Sequence, residues 1–120
     1  MLLKQLIEKL HLEVLSSEDT LDREITRGYA SDLLSDVLAY ARKGDLWVTL
    51  QVHENIVAVA AMNELSAIVV INGRKPNKDT VEKANRERIP ILGTSLPSFE
   101  LIGRLYTMGI PGKQDNAAGV

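Results

Sequence analysis

The chain has 120 residues, 45% hydrophobic and 25% charged, which suits one domain with its own core and leaves no room for a catalytic domain plus a regulator. Fourteen basic residues against sixteen acidic give a formal net charge of −2, which speaks against general nucleic-acid binding. Cysteine is absent, so disulfides, thiolate metal sites and cysteine nucleophiles are excluded, and a reducing cytoplasm is the expected setting.

The first segment, MLLKQLIEKLHLEV, interleaves Lys4, Glu8 and Lys9 with apolar residues at helical spacing. Leu2, Leu3, Leu6, Ile7 and Leu10 predict an amphipathic helix rather than a signal peptide, and no run is long and apolar enough for a membrane span. "LEVLS" predicts a short strand, "SSEDTLD" a polar connection and "REITRGYAS" a second strand. Asp32 is placed to cap a helix over 33–43 that Gly44 ends.

A regular rhythm follows. "DLWVTL", "AIVVI" and "IPILGT" predict strands, separated by helices at 54–63 and 78–87, the second with Val81 and Ala84 inward, and followed by one at 97–108 with Leu101, Ile102 and Leu105 inward. Val- and Ile-rich strands alternating with helices predict a three-layer α/β domain with a mainly parallel central sheet, its central strands at 46–50, 67–71 and 89–92. The N-terminal helix and strands are expected to pack together as an added element at one edge. The domain is expected to occupy 1–110, with a flexible tail over 111–120.

In such sheets, ligands collect outside the carboxyl ends of the strands. Three ends are legible: Thr49 to His53, Asn72-Gly73-Arg74, and Thr94-Ser95 after Gly93. Gly73 would let backbone approach a ligand, a following helix start suits an anion, and Arg74 offers a planar fork for phosphate. Asn-Gly is equally the signature of a tight turn, and Pro76 with Asn77 an ordinary helix start, so "VVINGRKPNKD" is open to both readings. The predicted ligand-binding set is Thr49, Gln51, His53, Asn72, Gly73, Arg74, Thr94 and Ser95. His53 has a competing reading as a helix cap or a solvent-facing ring.

From Gly73 to Arg88 six basic residues face three acidic ones, which is open to readings as a solvated helix face or a functional patch. No P-loop pattern, no metal-ligand spacing and no nucleophile–base motif is present, so no cofactor, no metal and no catalysis is expected. An enzyme would need Asp32, Asp36 and His53 to converge, whereas acidic residues at a helix start commonly serve as caps.

The run "GYASDLLSDVLAYARKGDLWVT", a helix, "AIVVINGRKP" and "IPILGTSLPSFE" resemble the DRTGG domain over about residues 12–108. The N-terminal stretch is also similar to the opening of the N-terminal domain of HPr kinase/phosphorylase. The named Asp-Arg pair falls on Val52 and His53 and the Thr-Gly-Gly triplet on Ile71, Asn72 and Gly73, so only Gly73 is kept, with Pro76 a few residues on. The resemblance implies a regulatory, dimer-forming segment, as in some inorganic pyrophosphatases and phosphotransacetylases. It does not imply a kinase, whose P-loop would lie in a second domain. The expected function is therefore a non-catalytic regulatory or ligand-sensing domain, with an adenine nucleotide as the candidate ligand. A second copy and another cytoplasmic protein are the expected partners, with Trp47, Tyr29, Tyr40 and Tyr106 as candidate contacts. The alternatives are a pure interaction scaffold or an accessory of a serine kinase.

Overall fold

Residues 1–113 are described by the computed structural model. The elements in chain order are α1 (Leu3–Leu10), β1 (Glu13–Val14), β2 (Arg27–Ala30), α2 (Leu34–Tyr40), β3 (Asp45–Thr49), α3 (Asn55–Met62), β4 (Ala67–Val70), α4 (Lys78–Glu87), β5 (Ile91–Gly93) and α5 (Ser98–Thr107). They form one five-stranded sheet in the order β1-β5-β4-β3-β2. Strands β2 to β5 run parallel, and only β1 is antiparallel, against β5. The apolar strand runs thus became the centre of a mainly parallel sheet, as the sequence predicts.

Both sheet faces are covered, which is why β3 and β4 carry no exposed residue. On one face Leu3 and Leu6 of α1 and Leu101 and Leu105 of α5 pack against Leu46, Val48, Val69 and Leu92. On the other, Val37 of α2, Ile56, Val57 and Ala60 of α3 and Ala84 of α4 pack against Trp47, Ile68, Val70 and Ile91. Neighbouring strand residues point to opposite faces, so Leu46 and Trp47 serve different cores.

The N-terminal elements do not form one added unit. Strand β1 closes one edge, β2 the other, and α1 covers a face beside α5, because its stripe of leucines needs a broad apolar surface to bury against. Beyond β1 the buried Ser16 hydroxyl takes the place of a strand partner: it donates to the Ile89 carbonyl at 2.7 Å and accepts from the Ile91 N–H at 2.8 Å.

Helix α2 is shorter than expected, and Asp32 does not cap it: Leu33 is the capping residue, without a side-chain bond. In α4, Thr80 rather than Val81 is fully buried, its hydroxyl donating to the Val52 carbonyl at 2.7 Å. In α5, Ile102, expected inward, is 37% exposed. Trp47 is fully buried, its indole N–H donating to the Ser31 carbonyl at 2.8 Å, so it is core and no surface contact. No helix among the described residues is long and apolar enough to cross a membrane. Of the tail expected over 111–120, residues 114–120 lie outside the described residues, while the Pro111 carbonyl accepts a 2.9 Å bond from Gly28 N–H on the β2 edge.

Candidate functional site

The parallel strands β2 to β5 bring four loops to their common carboxyl edge, and the eight predicted ligand residues divide among them into three groups. The first group is a turn. Asn72 and Gly73 both have positive φ, 58° and 67°, and Arg74 N–H donates to the Ile71 carbonyl at 3.1 Å. Two successive left-handed residues closed by that bond make a type I′ turn, for which Asn-Gly is the preferred pair. The Asn72 and Gly73 N–H groups are themselves taken, by Leu96 O at 3.0 Å and Thr94 O at 2.8 Å.

Those two bonds tie the turn to the loop after β5, so Asn72, Gly73 and Arg74 lie against Thr94 and Ser95. The Thr94 hydroxyl accepts from Leu96 N–H at 3.2 Å, which shapes that loop locally. Lys75 pairs with Glu13 of β1 at 2.6 Å. Arg74 is exposed, and its guanidinium has neither hydrogen-bond nor ion-pair partner among the described residues.

The second group centres on Asp32, which sequence reasoning assigned to a cap. Its Oδ1 accepts from the Thr49 hydroxyl at 2.8 Å and from Leu50 N–H at 2.7 Å. The Gln51 amide donates from Nε2 to the Asp32 carbonyl at 2.8 Å, and Gln51 N–H donates to Thr49 Oγ1 at 3.1 Å. Thr49 and Gln51 therefore brace the end of β3 to the loop after β2. A crevice of about 210 Å³ lies here, lined by Asp32, Thr49, Ile71, Ser98 and Ile102 among others. Of the predicted ligand residues only Thr49 lines it.

His53 stands apart from both groups. It is exposed, and its Nδ1 accepts from Asn55 N–H at 3.1 Å, capping the start of α3. Asp36 is engaged by Tyr29, whose hydroxyl donates to Oδ2 at 2.7 Å. Asp32, Asp36 and His53 thus have three separate partners and do not converge. The Tyr29 phenol is held above its ordinary pKa by burial first and by the bond to Asp36 second. No group of three or more His, Cys, Asp or Glu side chains able to hold a metal occurs among the described residues.

Fold and carboxyl edge together define the class: a doubly covered α/β domain with braced strand-end loops. The chain belongs to the DRTGG domain family, whose model matches residues 5–108 and so takes in most of α1 as well as the stretch that carries the resemblance. A similar solved structure is that of the CBS and DRTGG domains in the regulatory region of Clostridium perfringens pyrophosphatase, complexed with the activator diadenosine tetraphosphate. The match has a TM-score of 0.66 at 19% identity, over 95% of this chain and 51% of that one, so this chain spans about half of its length. The likeness is one of fold. No curated protein matches the chain.

Proposed function

We propose that this chain is a non-catalytic regulatory domain that takes an adenine nucleotide or similar anion at the carboxyl edge of its sheet and acts through contact with a second copy or another cytoplasmic protein. The observation that carries the ligand is Arg74: a guanidinium without a partner, on a turn tied by two backbone bonds to the Thr94-Ser95 loop. A rigid base spares the cost of ordering backbone on binding and leaves only the arginine rotamers to be fixed. Because the turn's own N–H groups are occupied, recognition falls to side chains: Arg74 with Asn72, Thr94 and Ser95 at the centre, and Gln51, Thr49 and His53 further out. Gly73 supplies the backbone shape. The regulatory region that shares this fold is complexed with an adenine dinucleotide, which motivates the ligand class.

The way the polar groups are used supports the non-catalytic reading. Asp32, Asp36, Thr49 and His53 are each bonded to structural partners, and none is paired as nucleophile and base. Transfer of phosphate from ATP to HPr protein or another partner by the purified chain would overturn this.

One guanidinium–phosphate bond contributes about 1.5–3 kcal/mol. Arg74→Ala is therefore expected to weaken an adenine nucleotide by about ten- to a hundredfold. The melting temperature without ligand is expected to stay where it is, since an exposed loop arginine contributes little to stability. A thermal-shift series with nucleotides, with and without magnesium, reads both quantities. Unchanged affinity in the variant, or no binding at millimolar nucleotide, would leave the pure interaction scaffold, which the occupied turn amides favour.

A further inference from the structure

Strand β2 gives the α5 side of the sheet almost no side chain. Its Gly28 and Ala30 stand in register with Leu46 and Val48 of β3, which are core on that side. The missing atoms leave a cavity of about 290 Å³, walled by Gly28, Ala30 and Val48 on the sheet and by Ile102, Leu105 and Tyr106 on α5. The lining is apolar, and the space is about twice that of an engineered apolar cavity that takes up benzene.

Neither backbone nor packing requires Gly28. Its φ is not in the left-handed region, and a Cβ there would stand 3.6 Å from Ile110 Cγ2, an ordinary contact. Glycine weakens a strand interior, and the close approach of a ligand is one reason to find it there.

The cavity also has polar groups at its wall. Ser31 N–H donates inward, to the Val48 carbonyl at 3.3 Å, and Gly28 N–H outward, to the Pro111 carbonyl at 2.9 Å. Backbone groups alternate along a strand, so the Gly28 C=O and the Ala30 N–H also turn to the outer edge. Neither has a partner among the described residues. An acceptor and a donor thus stand side by side on one edge, in the two residues that floor the cavity.

We propose that this cavity is a base pocket, which takes a flat, uncharged nitrogen heterocycle. A ring amine donates to the Gly28 carbonyl, and a neighbouring ring nitrogen accepts from the Ala30 N–H. Adenine carries that pair, its N6 amine beside an unprotonated ring nitrogen. Tyr106, 68% exposed, adds an aromatic ring for stacking. The cavity shares Ala30, Val48 and Ile102 with the crevice at Asp32, so a sugar on the base has a way toward the carboxyl edge. Asp32 Oδ2 has no hydrogen-bond partner among the described residues and can accept from a ribose hydroxyl. The choice of adenine among such rings rests on the nucleotide reading above. What is added is the seat of base and sugar, where that reading concerns phosphate at Arg74.

Free adenine is the probe, because it has no phosphate and owes nothing to Arg74. In an amide NMR titration of the whole chain, millimolar adenine should move the Ala30 N–H signal along a saturating curve. Hypoxanthine, with an oxygen in place of the amine, should bind at least tenfold more weakly. Ala30→Leu fills the cavity from the sheet side and should weaken adenine at least tenfold, with the circular dichroism of the fold retained. Gly28→Val is the second filling variant and should do the same. No saturating shift with adenine, equal affinity for hypoxanthine, or undiminished binding in a folded filling variant overturns the base pocket. Adenine binding without ATP binding keeps the pocket and sinks the nucleotide reading, and ATP binding without adenine binding does the reverse.

Discussion

Asp45 is a fully buried carboxylate, and its surroundings show what such a group needs. Arg27 approaches it with two donors, Nε to Oδ1 at 2.8 Å and Nη2 to Oδ2 at 2.9 Å, and Arg42 N–H adds a third at 2.7 Å. Arg27 Nη2 also reaches the Tyr40 carbonyl. The bond to Asp45 holds the Arg27 guanidinium above its ordinary pKa. Arg27 and Asp45 are partners in register at the amino ends of β2 and β3, far from the carboxyl-edge loops, so the pair fixes strand alignment. Removing the cation leaves a charge without compensation: Arg27→Ala is expected to cost about 3–5 kcal/mol in urea unfolding. A loss below about 1 kcal/mol would mean that water replaces the guanidinium at little cost.

Two residues along β2, the same reasoning gives a pH dependence. Tyr29 has a folded pKa above its ordinary value, from burial and from the bond to Asp36. A raised pKa means that the protonated phenol is favoured in the folded chain. Its contribution is complete below the unfolded value near 10 and is lost as pH rises through the folded one. Tyr29→Phe should lower stability by about 1 kcal/mol at neutral pH, the worth of one hydrogen bond. The gap between variant and parent should then shrink in strongly alkaline solution. A gap that grows with pH would reverse the sign and refute the assignment.

At the scale of elements, the I′ turn and the β3 entry make a matched pair of glycines. Gly73 has φ of 67° and open space where a Cβ would go, so Gly73→Ala meets backbone strain alone, about 1–2 kcal/mol. Gly44 has φ of 86°, and a Cβ there would stand 2.7 Å from Thr26 Oγ1, adding a clash to the strain. Gly44→Ala should therefore lower the melting temperature further than Gly73→Ala, and the reverse order would mean that Thr26 moves aside freely. The Asn-Gly turn and the three central strands were legible in the sequence because their signals are local: a residue pair with one preferred geometry, and apolar runs of strand length. Asp32 was misread as a cap because its real partners, Thr49 and Leu50, are reached only through the fold. Ile102 looked inward by spacing, yet α5 rotates to bury Leu101 and Leu105. The division of the ligand residues into a turn, a brace and a cap carries no local signature at all.

For the whole molecule, the decisive arrangement is the sheet order, which sets the first strand beside the last. Glu13 pairs with Gly93 and Val14 with Leu92, and Ser16 bonds across to residues 89 and 91. The parallel core of β3, β4 and β5 can assemble strand by strand, each helix returning the chain to its neighbour. Strand β1 has no such route. On a ribosome it emerges first and must stay unpaired until almost the entire domain has been made. Closing so long a loop is slow, so this edge should dock after the folding barrier has been crossed. In stopped-flow kinetics, Ser16→Ala should then speed unfolding and leave the refolding rate nearly unchanged. A slowed refolding arm would instead put the N-terminal edge in the nucleus. With late docking, the chain exposes first the edge of β4 and then, once it is made, that of β5, a template for unwanted strand pairing that the finished protein conceals.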